Sequence, residues 1–212
     1  MRVWTIQAEQ QWVDLQKHGV LRRSLAQVYS FFLPAYTWMD EQMQQRLRVE
    51  KPLDAAPLWF WYQWDGVLRR RPDLRFSGHL PPGTTGVRME CEIVDARLLL
   101  SDFYLWCSVL NGWYIPISLD DQAMFDAEAD QYVTETGQSV DRATVSLRVP
   151  LLEQYSYPPH LRTRIIASWQ RVFDLDWAVP GITDAREQKA IQATAWELRL
   201  ADVITVHTFV AR

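Results

Sequence analysis

Cysteine is scarce in this chain of 212 residues: Cys91 and Cys107 are the only two. Thiols so far apart make neither a CxxC metal half-site nor a disulfide framework, and they read as buried thiols in a reducing compartment. Long apolar runs are missing as well. No stretch reaches the roughly 18 apolar residues of a membrane span, and the opening "MRVWTIQAEQQW" has no signal-peptide core, so the expectation is a cytoplasmic chain with no membrane partner. Nor is there an excess of positive charge. A net charge of -4 argues against a protein whose whole surface grips nucleic acid, while leaving room for a local basic patch. Walker loop, GxGxxG, HExxH and GxSxG signatures do not occur, which removes the strongest motif-based assignments. The four histidines, at positions 18, 79, 160 and 207, have no ligand spacing, and no metal is expected.

What is abundant is tryptophan, with eleven residues, several times average usage. Length and composition fit one domain over 1-212 with a core that needs neither metal nor disulfide. Val3 to Gln7 alternates as a strand, and "AEQQWVDLQKHGVL" continues as a helix with Trp12 and Leu15 on one face and Gly19 as its stop. "SLAQVYSFFL" and "PAYTWMDEQMQQRL" read as two helices divided at Pro34. Leu58 to Trp64, "LWFWYQW", reads as a strand with Leu58, Phe60, Tyr62 and Trp64 on one face and Trp59, Trp61 and Gln63 on the other. A long Gly/Pro/Arg loop follows from Asp65 to Thr85. Further strands are expected at Val87 to Val94, Leu98 to Leu100 and Trp113 to Ile117, and helices at "FYLWCSVLNG", "DDQAMFDAEADQYV" and "HLRTRIIASWQRVFDL". In the last of these, Ile165, Ile166, Trp169 and Val172 share a side. Between the last two helices the chain up to Pro159 reads as irregular. The tail reads as two strands joined by a turn near Leu200 to Asp202. With no repeat and no linker, the fold class is α+β: a single domain with a mixed or antiparallel sheet and flanking helices.

The best place to look for function is the aromatic strand beside the basic loop. Aromatic faces next to guanidinium groups can stack on a base or nicotinamide-type ring while arginine forks hold phosphates. On this reading Tyr62 or Trp64 stacks, and Arg71, Asp73 and Arg75 of "RRPDLR" lie on a turn stiffened by Pro72. The competing reading makes the tryptophans core residues. Asp102, at the end of "RLLLSD", is either a carboxylate at a strand edge or a helix cap.

Two resemblances follow from these segments. "VWTIQ", Trp12, "GVL", "FLPAYxWMxxQM", "WYQW", "RRPDLR", "LLSDFxxWxxVLN" and "IQATxWEL" together resemble an uncharacterised bacterial domain-of-unknown-function family over nearly the whole chain, which brings no activity with it. More loosely, "VWTIQAEQQWVDLQKHGVL" and the tail are similar in layout to the ADP-ribosyltransferase fold. That resemblance implies an NAD-holding first strand, with Thr5 and Gln7 positioning the dinucleotide. Trp4 or Thr5 stands where that family has His or Arg. It also implies a penultimate strand carrying the residue at the ribose, here Gln192 or Glu197, which would stabilise an oxocarbenium-like transition state. Gln192 carries no charge for that role, and strict alternation puts it on the opposite strand face from Glu197. The expected ligand is a nucleotide or nucleic-acid-derived molecule, with NAD as cofactor. The alternatives are a non-catalytic protein-interaction module, with tryptophans and arginines as anchors, and a weak RNA or single-strand binder.

Overall fold

The computed structural model describes residues 1–137 and 157–212, so the stretch before Pro159 expected to be irregular lies mostly outside the described residues. The fold is α+β. Its two compact units are Met1–Gln27 with Met39–Leu100 and Gln188–Arg212, and Val28–Trp38 with Ser101–Glu187.

The first unit is built on a six-stranded sheet. Strand β1 (Arg2–Ala8) lies near its middle, antiparallel on one side to β6 (Thr85–Glu92) and on the other to β5 (Leu58–Gln63). Outside β6 lies β10 (Val203–Val210), and outside β5 lies β8 (Ile191–Ala195), followed by β7 (Leu99–Asp102). Short pairs β2 (Val20–Leu21) with β9 (Leu198–Arg199), and β3 (Arg23–Ser24) with β4 (Ala55–Ala56), stand apart from it. One face is apolar because alternate residues of each strand are: Val3, Leu58, Phe60, Val87, Met89, Cys91, Ala193 and Ala195 join one buried cluster with Leu15 of α1 (Glu9–His18). Full burial of each large apolar side chain here is worth about 1.5–3 kcal/mol. Helix α1 ends where expected, with Gly19 at φ 74° donating its N–H to the Leu15 carbonyl at 2.8 Å. Only glycine takes that left-handed conformation without strain.

Close approach also fixes a glycine at position 86. A Cβ there would collide with Leu80 Cδ1 and come within 2.8 Å of Phe209 Cε1, from the opposed strand β10. Gly86→Ala is expected to cost about 1–3 kcal/mol of stability, the usual range for overpacking, as measured by urea denaturation.

In the second unit, α3 (Phe103–Leu110), α4 (Leu119–Thr136) and α5 (Pro159–Ser168) pack around aromatic rings. Trp38 lies parallel to Phe173 at 5.7 Å and edge-on to Trp169 at 5.6 Å. Helix α2 (Leu33–Arg46) contributes its first residues to this unit and the rest to the other.

Three expectations are corrected. "SLAQVYSFFL" forms two 3-10 turns, Leu25–Gln27 and Ser30–Phe32, not a helix. The Ser24 N–H donates to Gln27 Oε1 at 3.0 Å and the Ala26 N–H to Ser24 Oγ at 3.2 Å, as at a helix start, but the chain turns again at Ser30 without continuing the helix. Trp113 to Ile117 is irregular because side chains, not a neighbouring strand, satisfy its backbone. Ile166 is 37% exposed, whereas Ile165, Trp169 and Val172 are buried, since one helical step of about 100° turns Ile166 away from the buried side. The tail has its strands on either side of the Leu200–Asp202 turn, as expected, but they do not pair with each other: β6, β1 and β5 lie between β8 and β10. Of the two cysteines, Cys91 is buried and its thiol is pushed up to about 12, chiefly by that burial, while Cys107 is only half-buried.

Candidate anion-binding cleft

Four aromatic residues in a row favour the extended chain at Leu58–Gln63, but the ladder with β8 slips between Trp61 and Gln63. This bulge disrupts the expected two-face alternation, and the strand stops one residue before Trp64. The chain then turns on Gly66 at φ 70°, with Trp64 and Asp65 N–H groups donating to the carbonyls of Arg70 and Arg69, both at 3.0 Å. That turn brings Arg70 back over the strand. Its Nε donates to the Tyr62 carbonyl at 3.2 Å, and its guanidinium lies 4.3 Å from the Tyr62 ring centre and 6.0 Å from that of Trp4.

The rest of the loop is tied down by rings and by one buried charge. Trp64 meets Trp61 edge-on at 4.5 Å, Phe76 at 6.0 Å and His79 at 5.1 Å, and His79 meets Phe209 of β10. Arg88, on β6 and 8% exposed, donates through Nη1 to the Pro72 carbonyl at 2.8 Å. Burial, and then the like charge of Arg71, lower the pKa of this guanidinium. It remains ionised at neutral pH all the same, as arginine does.

Loop and sheet together enclose an open cleft of about 910 Å³. Six arginines (2, 69, 70, 71, 75 and 88) line it against three carboxylates, Asp65, Asp73 and Glu90, leaving an excess of positive charge. Most of those cations are committed. Arg69 pairs with Asp65 at 3.0 Å, Arg2 with Glu90 at 3.3 Å, and Arg75 forks onto Asp73 at 2.6 Å. Hydrogen bonds from Arg75 hold the Asp73 carboxyl well below the usual carboxylate range. Arg71 is exposed and has no acidic partner among the described residues. At the floor, the Trp4 indole N–H is buried without an acceptor among the described residues.

Of the residues singled out from the sequence, Trp64, Arg71, Asp73 and Arg75 line this cleft, and Tyr62 supports Arg70 beneath it. Gln192 is the neighbour of Trp61, which opposes Trp4, which in turn opposes Glu90, so all four form one row across a single sheet face. Thr5 and Gln7 serve the sheet itself: the Thr5 hydroxyl donates to the Trp59 carbonyl at 2.9 Å and accepts from Gln7 Nε2 at 2.8 Å. Glu197 lies beyond the end of β8 and accepts from Arg22 at 2.7 Å and Arg199 at 2.9 Å. Asp102, in the second unit, caps α3 by accepting from the Tyr104 and Leu105 N–H groups, and its other oxygen accepts from Thr183 at 2.9 Å. Arg2, Arg70, Arg88 and Glu90 are among the cleft residues that the sequence reading passed over. The alternation of "VRMECE", with Arg88 and Glu90 opposite the apolar Val87, Met89 and Cys91, carried that signal.

Glu197 also gives a pH prediction. Burial raises its pKa, but hydrogen bonds and charge from Arg22 and Arg199 outweigh burial and leave it below the ordinary value of 4.5. A depressed folded-state pKa adds stability above the unfolded value, and that stability is lost as pH falls through the folded one. The stability gap between wild type and Glu197→Gln should therefore be widest near neutral pH and narrow below about 4.5, as followed by thermal melts across a pH series.

Among the described residues, no group of three or more His, Cys, Asp or Glu is placed to hold a metal ion, and no helix is long and apolar enough to cross a membrane. Comparison with curated proteins and with solved structures finds no match. One family does match, over residues 2–204, which take in the aromatic strand, the basic loop and every residue of the cleft. The chain belongs to the family described as domain of unknown function (DUF3841).

Proposed function

We propose that the cleft binds a phosphate-bearing nucleotide, with NAD or ADP as the representative ligand. The observation that carries this reading is the pairing of Arg71, which has no acidic partner among the described residues, with Arg88, which is buried at the Pro72 carbonyl and feels the like charge of Arg71 as well as the opposite charges of Glu90 and Asp73. An anion between two guanidinium groups relieves that repulsion and gains charge-assisted hydrogen bonds. Trp64 and Phe76 supply ring faces beside it for a base or nicotinamide. The test is a titration of purified protein with NAD and ADP, read by tryptophan fluorescence and thermal shift. A saturable signal with a rise in Tm supports the reading. No response up to about 1 mM, an affinity near -4 kcal/mol, would reject it.

Transfer of ADP-ribose from NAD is the finer reading, and its support is the layout at the two chain ends and the place of Gln192 in the cross-sheet row. The geometry favours binding over transfer. Neither Gln192 nor Glu197 is among the residues lining the cleft, Glu197 is held by two arginines, and Glu90 is held by Arg2. A protein-interaction surface is the second reading, favoured by the exposure of Val67, Leu68 and Phe76 beside the loop arginines. It predicts a partner-dependent rise in mass by light scattering. A binding constant for an oligonucleotide that falls steeply with salt would instead identify a single-strand binder.

A further inference from the structure

The second unit contains a separate cavity of about 410 Å³, within the range of about 300–1,000 Å³ usual for small-molecule sites. Its chemistry is the reverse of the cleft's. No lysine or arginine lines it among the described residues; the polar groups present are Ser108, Gln122 and Asp126, and the rest is apolar or aromatic. Phe125 and Tyr157 are buried, Tyr114 lies parallel to Phe125 at 4.2 Å, and Trp113 is half-exposed.

One wall is loop, yet it is fixed. The Trp113 carbonyl accepts from the Trp169 indole at 2.9 Å, the Ile115 N–H donates to Ser168 at 2.9 Å, and the Ile115 carbonyl accepts from Arg171 at 2.6 Å. Asp121 then accepts from both the Tyr114 hydroxyl at 2.8 Å and the Ile117 N–H at 2.9 Å. A wall whose backbone is already ordered loses little entropy when a ligand arrives, which is what a preformed site requires.

We propose that this cavity is a binding site for an uncharged, planar heteroaromatic molecule of one or two fused rings. Aromatic walls take a flat ring by stacking, and the Ser108 hydroxyl and Gln122 amide can satisfy its ring nitrogens or carbonyls. An anion is disfavoured because the lining itself offers a carboxylate, while the guanidinium groups packed against its rings and loop are already engaged, Arg164 by Glu128 and Arg171 by the carbonyls of Ile115 and Ser168. The site is independent of the cleft, so its failure and the failure of the nucleotide reading are separate results.

Indole, quinazolin-4-one and adenine are the neutral probes, with benzoate as the anionic counterpart, followed by ligand-observed NMR and thermal shift. At least one neutral probe should bind saturably below about 1 mM, with benzoate weaker by about tenfold. Ser108→Phe, which fills the cavity, should weaken the best probe by about tenfold or more. Because that variant changes a lining residue of α3, Gln122→Ala on the exposed face of α4 is the second variant, expected to weaken binding by about threefold to tenfold while folding normally. Excess ADP should leave binding unchanged. Absence of saturable binding by all neutral probes, equal binding of benzoate, displacement by ADP, or indifference to both substitutions would each overturn the proposal.

Discussion

Arg88→Met is expected to weaken nucleotide binding by about 10- to 100-fold, because a hydrogen bond to a charged group is worth about 1.5–3 kcal/mol and each 1.4 kcal/mol is tenfold. The methionine keeps the apolar stem and removes only the charge and its donors. Arg88 also anchors the loop through the Pro72 carbonyl, so part of the loss would come through loop position. Arg71→Ala separates the two effects. Its side chain is exposed and makes no ion pair among the described residues, so a loss of about three- to tenfold with Tm unchanged would be a loss of ligand contact. Arg75→Ala should do less than either, since Arg75 is spent on Asp73. Isothermal titration of the three variants with ADP gives the ranking. Equal affinities across wild type, Arg88→Met and Arg71→Ala would remove the cleft from the account.

Trp169→Ala should destabilise the protein by about 3–5 kcal/mol, the range for deleting a buried large aromatic side chain. Trp169 is 1% exposed, touches Trp38 edge-on and holds the Trp113 carbonyl. Trp169→Phe keeps a ring for the packing but leaves that carbonyl without its donor, at a cost nearer 1–3 kcal/mol. Urea denaturation followed by circular dichroism measures both. If the two variants lose equal stability, the hydrogen bond rather than ring volume dominates.

How much of this could be read from the chain depends on whether a neighbour or a distant residue fixes each feature. Helix α1, its glycine stop, the strand at Arg2–Ala8 and the Asp102 cap were legible because their determinants lie within a few residues. So was the association of the aromatic strand with "RRPDLR", which are joined by a short turn. The Arg71–Arg88 pair was not, because strand register brings Arg88 beside a loop that only the folded sheet positions. Arg75 looked available in sequence, yet its partner was two residues away, in a geometry that spacing alone leaves open. The turn at Leu200 to Asp202 was legible, but not that the strands on either side of it pair elsewhere, since adjacent strands usually pair with each other.

That separation of β8 from β10 has a consequence for synthesis. "LWFWYQ" needs β8 along one edge, and Trp61 meets Gln192 only after synthesis has passed residue 192. Until then the most aromatic strand of the protein waits with an open edge, a slow, long-range closure of the kind that exposes nascent chains to aggregation. Bacterial or cell-free production that slows translation after residue 64 would lengthen that wait. The strand that leads into the cleft's basic loop is therefore exposed to aggregation until β8 has been made.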